Sequence, residues 1–235
     1  MSTILITGFD RFPGSPINPS GLVATRLAGR RRPAFIGTRR IVHVFATRYD
    51  AVDRELPTLL AREKPDIVVM FGVATRSRWV RIEERARNRV ALFPDAGRYR
   101  PPAHTIARRR DALRNPLPIA RLVKAARAAS VAAMSSRDAG TYLCNYVYWR
   151  ALEAAALPDG PGFVIFIHLP PIGLTKLPKK HFKRLPEKLA RRQRTRKRRS
   201  HRLNDLVRAG EAIVLAMISL AAAERRRHGG PNRLL

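Results

Sequence analysis

Apolar residues fall along this chain in two alternating textures. Short runs rich in β-branched side chains read as strands: Thr3–Thr7 (Thr-Ile-Leu-Ile-Thr), Arg40–Thr47 and Asp66–Phe71. The last is continuously apolar after its first residue and closed by Gly72, the pattern of a parallel strand buried on both faces. Trp79–Glu84 alternates apolar and polar, as a half-exposed strand does, and Ser130–Met134 and Phe163–Leu169 supply two more short runs. Between these, apolar positions recur at helical spacing over Ser20–Leu27, Ala51–Arg62, Pro118–Ala129, Gly140–Ala155 and Leu203–Arg226. Pro118 and Asp138 act as start signals, and Pro65 and Pro158 follow helix ends. This alternation predicts a single α/β domain over residues 1–235: an α/β/α sandwich with a mostly parallel, twisted sheet covered by helices on both faces. Such sheets bind ligands at the carboxyl ends of their strands. Phe93–Asn115 and Pro170–Ser200 read as long irregular loops.

Charge adds a second theme. The 47 Lys and Arg against 17 Asp and Glu give a formal net charge of +30. The excess peaks in a basic insertion at about 176–202, with fourteen Lys and Arg and one acid, Glu187. The core of that run, Arg191–Arg199, has no aromatic residue for base stacking and no metal-finger spacing, so it reads as a solvated segment with non-specific polyanion contact. Its alternative is a basic surface that binds nucleic acid or another polyanion in a catalytically weak or inactive protein. The N-terminus has no basic leader and enters a strand directly. The longest late apolar stretch, Ala212–Ala223, falls short of a membrane span. A lone cysteine suits a reducing compartment. The expectation is a cytoplasmic protein with no membrane contact.

That lone cysteine, Cys144, sits in Asp138-Ala-Gly-Thr-Tyr-Leu-Cys-Asn145, where a turn leads into an apolar helical run. A thiol in the first turn of a helix lies against amide N–H groups and the positive end of the helix dipole, which favour the thiolate. Packing as a small hydrophobe is the commoner role for a lone cysteine. Of six histidines, His168 stands apart at the C-terminal end of Phe163-Val-Ile-Phe-Ile-His168, where a parallel sheet delivers side chains to its functional edge. On its own a strand-end histidine is as well explained by structure as by catalysis. Glu83 and Glu84 end another strand among five arginines, either as surface ion pairs or as a carboxylate orienting a histidine. Phe9 and Phe12 flank a strand-end glycine and suit either a core or the apolar walls of a small pocket. No metal-ligand spacing and no nucleotide-binding glycine loop is present, so no cofactor is expected.

Taken together the blocks resemble the pyroglutamyl-peptidase I (pyrrolidone-carboxylate peptidase) family of cysteine peptidases. The blocks are Thr7-Gly-Phe-Asp-Arg-Phe-Pro-Gly14 with Ile17-Asn-Pro-Ser20, and Lys64-Pro-Asp-Ile67 with Gly72, Ile82-Glu83 and Asn88. Phe93-Pro-Asp95 with Gly97, Ala139–Asn145, Gly162 with Ile167-His-Leu-Pro170, and Asn204–Ala209 complete them. Their order and spacing agree over nearly the whole chain apart from the basic insertion. The resemblance implies a thiol exopeptidase that removes an N-terminal pyroglutamyl residue from peptides through a thioester. It assigns Cys144 as nucleophile, His168 as general base and acid, and Glu83 as the orienting carboxylate. Phe9, Phe12, Tyr142 and Val73 are placed at the substrate, and a homo-oligomer, often a tetramer, is implied. Three positions depart from the pattern. Glu84 stands where the family has arginine, Leu92 replaces an arginine before the Pro-Asp loop, and Val73 stands where many members carry glutamine. If the arginine at the Leu92 position is an oxyanion donor, its loss costs ~10²–10³ in rate.

Overall fold

The computed structural model describes residues 2–11, 17–108, 111–172 and 202–227. Phe12 and the basic run up to His201 lie outside the described residues. The elements in chain order are β1 (Ser2–Phe9), α1 (Pro19–Ala28), β2 (Thr38–Phe45), α2 (Tyr49–Glu63), β3 (Ile67–Val73), β4 (Val80–Glu83) and β5 (Arg85–Arg87). They continue with β6 (Ala112–Arg114), α3 (Ile119–Ala128), β7 (Ala133–Ser136), α4 (Leu143–Ala155), β8 (Phe163–Leu169) and α5 (Leu203–Arg227).

Six strands form one sheet in the order β2-β1-β3-β8-β4-β7. The first four are mutually parallel. β4 pairs antiparallel with β8 and parallel with β7, so the last two strands run the opposite way. β3 lies near the middle, and its apolar run is sorted by the two-residue period of a strand. Ile67, Val69 and Phe71 pack with α1, α3 and α5, while Val68 and Met70 pack with α2 and α4. Both faces are thus covered, which explains why this strand carries almost no polar residue. β2, at the edge, mixes half-buried with exposed positions and fully buries only Phe45, and the charged side chains of Arg39 and Arg40 stand along it.

Local signals account for the helix ends. Asn18 caps α1 by accepting the Ser20 N–H at 3.1 Å, with Pro19 in the first turn. Lys64, at φ 42°, ends α2 in the left-handed conformation just before Pro65. α5 is 25 residues long and by length and composition alone could cross a membrane, against the expectation from Ala212–Ala223. It instead packs on α1, α3 and the sheet, burying Leu206, Ile213, Val214 and Met217 among other side chains.

Three expectations need correction. Trp79–Glu84 is not a half-exposed strand: Val80, Ile82 and Glu83 are buried, because β7 covers the outer edge of β4 and its polar side faces a cleft rather than open solvent. The loop over Phe93–Asn115 contains β6, which pairs antiparallel with β5. α4 begins at Leu143, not Gly140, and Asp138 is not its cap; the Asp138 carboxylate accepts the Gly140 N–H at 3.0 Å and binds Arg87 at 2.9 Å.

Candidate active site

A cleft of about 1020 Å³ crosses the α4 face of the sheet. At its centre are His168 on β8 and Cys144, the second residue of α4. Gly140, at φ 84°, turns the chain from β7 back over the sheet, and Tyr142 is the extended residue ahead of the helix. As the second helical residue, Cys144 carries a main-chain N–H with no acceptor within the helix. Asn145 fixes this helix start. It is fully buried, accepts the Arg87 N–H at 2.8 Å, and donates to the carbonyls of Arg87 at 2.7 Å and Arg89 at 2.9 Å.

Cys144 reaches the sheet because β3 leaves it a slot. Gly72 is the register partner of His168, and a Cβ built on it would lie 2.7 Å from both Cys144 Sγ and the edge of the Phe166 ring. Any side chain at that position would occupy the space the thiol fills. His168 is hydrogen-bonded to Cys144 and, through Nδ1, to Glu83 Oε1 at 2.8 Å. Both His168 and Glu83 are buried, at 5% and 0% exposure. Burial alone would lower the His168 pKa. The Cys144 charge and hydrogen bond, helped by Glu83, outweigh it and raise the value to about 9. The imidazolium is therefore the favoured form of His168 at neutral pH.

The reversed direction of β4 explains how Glu83 gets there. Arg81 is the register partner of His168 and Ile82 that of Ile167, so Arg81 and Glu83 project from the same face as His168. Tyr148 donates to the Glu83 carbonyl at 2.9 Å, and Asn115 in turn donates to the Tyr148 hydroxyl at 2.8 Å. Arg81 was one arginine among several in the sequence, with nothing to single it out. Its Nε lies 3.4 Å from Glu83 Oε1, and its guanidinium donates to Ser136 Oγ at 2.6 Å and to the Asp138 carbonyl. Arg81 therefore ties the Glu83 carboxylate to the loop that leads to Cys144. Glu84, next in sequence, turns to Arg137 at 3.8 Å.

The other sequence candidates divide. Phe9, Val73 and Tyr142 line the same cleft, together with Asn18 and Thr47. Phe9 packs on Phe45 with ring centroids 5.9 Å apart, and Tyr142 stands edge-on to Tyr49 at 5.9 Å and to Phe93 at 6.0 Å. Burial, with the charges of Asp95 and Cys144, pushes the Tyr142 hydroxyl up to about 12, so it stays protonated and donates to the Pro94 carbonyl at 3.2 Å. Leu92 is half-exposed, with its carbonyl accepting from Arg100 at 3.3 Å. A thiol, an adjacent histidine, and a carboxylate on the far ring nitrogen form the arrangement that acyl transfer through sulfur requires. The apolar end of the cleft can hold a small flat ring.

The sequence model of the pyroglutamyl peptidase family matches residues 2–187. Pyrrolidone-carboxylate peptidase 1 of Ralstonia nicotianae is 35% identical over 173 residues, covering 72% of this chain and 79% of that protein. The pyrrolidone-carboxylate peptidase of Thermococcus onnurineus is 34% identical over 169 residues, covering 71% and 82%. Among solved structures, a mutant pyrrolidone carboxyl peptidase of Pyrococcus furiosus superposes with a TM-score of 0.77 at 25% identity, covering 93% of this chain and 99% of that one. Pyroglutamyl peptidase I of Bacillus amyloliquefaciens shares the fold with a TM-score of 0.74 at 24% identity, covering 93% and 98%.

Proposed function

The chain belongs to the pyroglutamyl peptidase family of cysteine peptidases, and from that premise we propose that it hydrolyses the amide bond following an N-terminal pyroglutamyl residue. The observation that carries the reading is His168 held between Cys144 and Glu83 in the middle of a cleft whose one end is apolar. In this reading the Cys144 thiolate attacks the pyroglutamyl carbonyl carbon, and the electron pair moves onto the carbonyl oxygen, where the Cys144 N–H stabilises it. As the oxyanion collapses, the carbon–nitrogen bond breaks and His168 gives its proton to the departing amine. The product is a thioester on Cys144. His168, now neutral, takes a proton from water, the hydroxide attacks the thioester, and the thiolate leaves to restore the starting pair. Glu83 keeps the proton of Nδ1 in place, so that the other ring nitrogen does the proton transfers.

Phe9 and Tyr142 are proposed as the walls around the lactam ring. Val73 offers the lactam no side-chain hydrogen bond, so ring recognition falls to main-chain groups and shape. The reducing cytoplasm and a homo-oligomer complete the proposal. The test is turnover of three coumarin amides that differ only in the acyl residue: pyroglutamyl, prolyl and alanyl. Release from the pyroglutamyl amide alone is expected. Equal release from the prolyl amide, which lacks the ring carbonyl, would remove lactam recognition from the account.

A further inference from the structure

Resting on that reading, we propose that the half of the cleft beyond His168 selects peptides with Asp or Glu in the residues directly after the pyroglutamyl group. The sheet order gives the cleft a direction. It begins over β1 and β3 at Phe9 and Val73, passes His168 on β8, and ends over β4 and β7. At about 1020 Å³ it has the size that holds a drug-like ligand, and one lactam ring leaves most of it unfilled. With the ring at the apolar end and its carbonyl at Cys144, the departing peptide has to run over β4 and β7.

The two halves differ in charge. The lining over β1 and β3 has no charged side chain among the described residues. The lining from the loop that leads into β4, from β4 with the residue after it, and from β7 with its following loop has four arginines, Arg76, Arg78, Arg81 and Arg137, against two acids, Glu84 and Asp138. Asp138 is paired with Arg87 at 2.9 Å, Glu84 with Arg137 at 3.8 Å and Arg81 with Glu83 at 3.4 Å, so arginine outnumbers carboxylate along this lining even after its internal pairs are formed. Arg76 is an exposed residue of this lining and has no ion pair among the described residues. The leaving peptide therefore meets a net positive wall with donors in place for carboxylates.

The experiment is a competition in one tube between two peptides, pyroglutamyl-Asp-Glu-Ala-Ala and pyroglutamyl-Lys-Lys-Ala-Ala, followed by mass spectrometry, with the pyroglutamyl coumarin amide run alongside. A ratio of kcat/KM on the order of tenfold in favour of the acidic peptide is expected at low ionic strength, since exposed ion pairs are individually weak. It should shrink at about 0.5 M salt. Arg76→Glu with Arg137→Glu should abolish or invert the ratio, whereas Arg121→Glu, exposed on α3 across the sheet, should leave it. Equal kcat/KM for the two peptides, with the coumarin amide cleaved, overturns this proposal alone. So does an unchanged ratio in the double variant, which would assign the preference to the net charge of the whole chain. No cleavage of the coumarin amide overturns the parent reading and this one with it.

Discussion

Gly72→Ala places one methyl group where the sulfur of Cys144 sits. The built Cβ is 2.7 Å from Sγ and 2.7 Å from the Phe166 ring, roughly 1 Å inside an ordinary contact between such atoms. Phe166 is fully buried between α4 and its neighbours and has no space to retreat. Cys144 borders the open cleft, so the thiol is the group that moves, by about 1 Å. Overpacking of this kind costs ~1–3 kcal/mol, which lowers the melting temperature by roughly 2–12 °C for a chain of this size. Misplacement of a reacting atom by that distance costs ~10²-fold in rate. The assays are a melting curve, kcat and KM on the pyroglutamyl coumarin amide, and the rate of Cys144 alkylation by iodoacetamide. A folded variant with kcat down about a hundredfold and KM nearly unchanged is expected. A folded variant with the parent kcat and the parent alkylation rate would refute the claim that Gly72 exists to admit the sulfur.

Other outcomes follow from the same geometry. Glu83→Gln keeps the volume but removes the charge behind Nδ1, so kcat should fall by about 10²–10⁴ with the fold intact. In the same variant, loss of the carboxylate should move the alkaline limb of the pH–rate profile to lower pH. In the parent protein the His168 proton is held until about pH 9, so activity should be sustained through neutral pH and fall as pH rises through about 9, when no proton remains for the leaving amine. A profile already falling at pH 7 would contradict this. Asn145→Ala takes the partner from the Arg87 N–H and the Arg89 carbonyl and one of two donors from the Arg87 carbonyl, which should cost ~2–5 kcal/mol in a denaturant titration and reduce kcat by loosening the helix start.

Legibility in the sequence tracked how local each cause was. β3 and β8 were readable because strands covered on both faces must be apolar throughout, and β8 matched to the residue. Pro65 and Pro158 marked the ends of α2 and α4 through backbone chemistry confined to a few residues. The reversed direction of β4 depends on pairing with β8, more than eighty residues away, and no local pattern encodes it. That reversal is what points Arg81 and Glu83 at His168, so the position of the carboxylate was legible only through the family resemblance. β6 is three residues long and has only Ala112 and Leu113 ahead of Arg114, too short an apolar run for a strand signal. The start of α4 was misplaced because Asp138 and Gly140 look like a cap and turn, and they are a turn, but the helix waits until Leu143. The role of Gly72 was invisible for a different reason. A sequence shows that a side chain is missing, and only the fold shows which atom uses the space.

The central claim is that Cys144, activated by His168, carries the reaction. Its most direct test is the rate of coumarin release from the pyroglutamyl amide by the parent protein and by Cys144→Ala, measured side by side at equal concentration near neutral pH. The account predicts steady release by the parent and, in the variant, a rate no higher than buffer. Equal rates in the two proteins, or no release by the parent at high concentration, would contradict it.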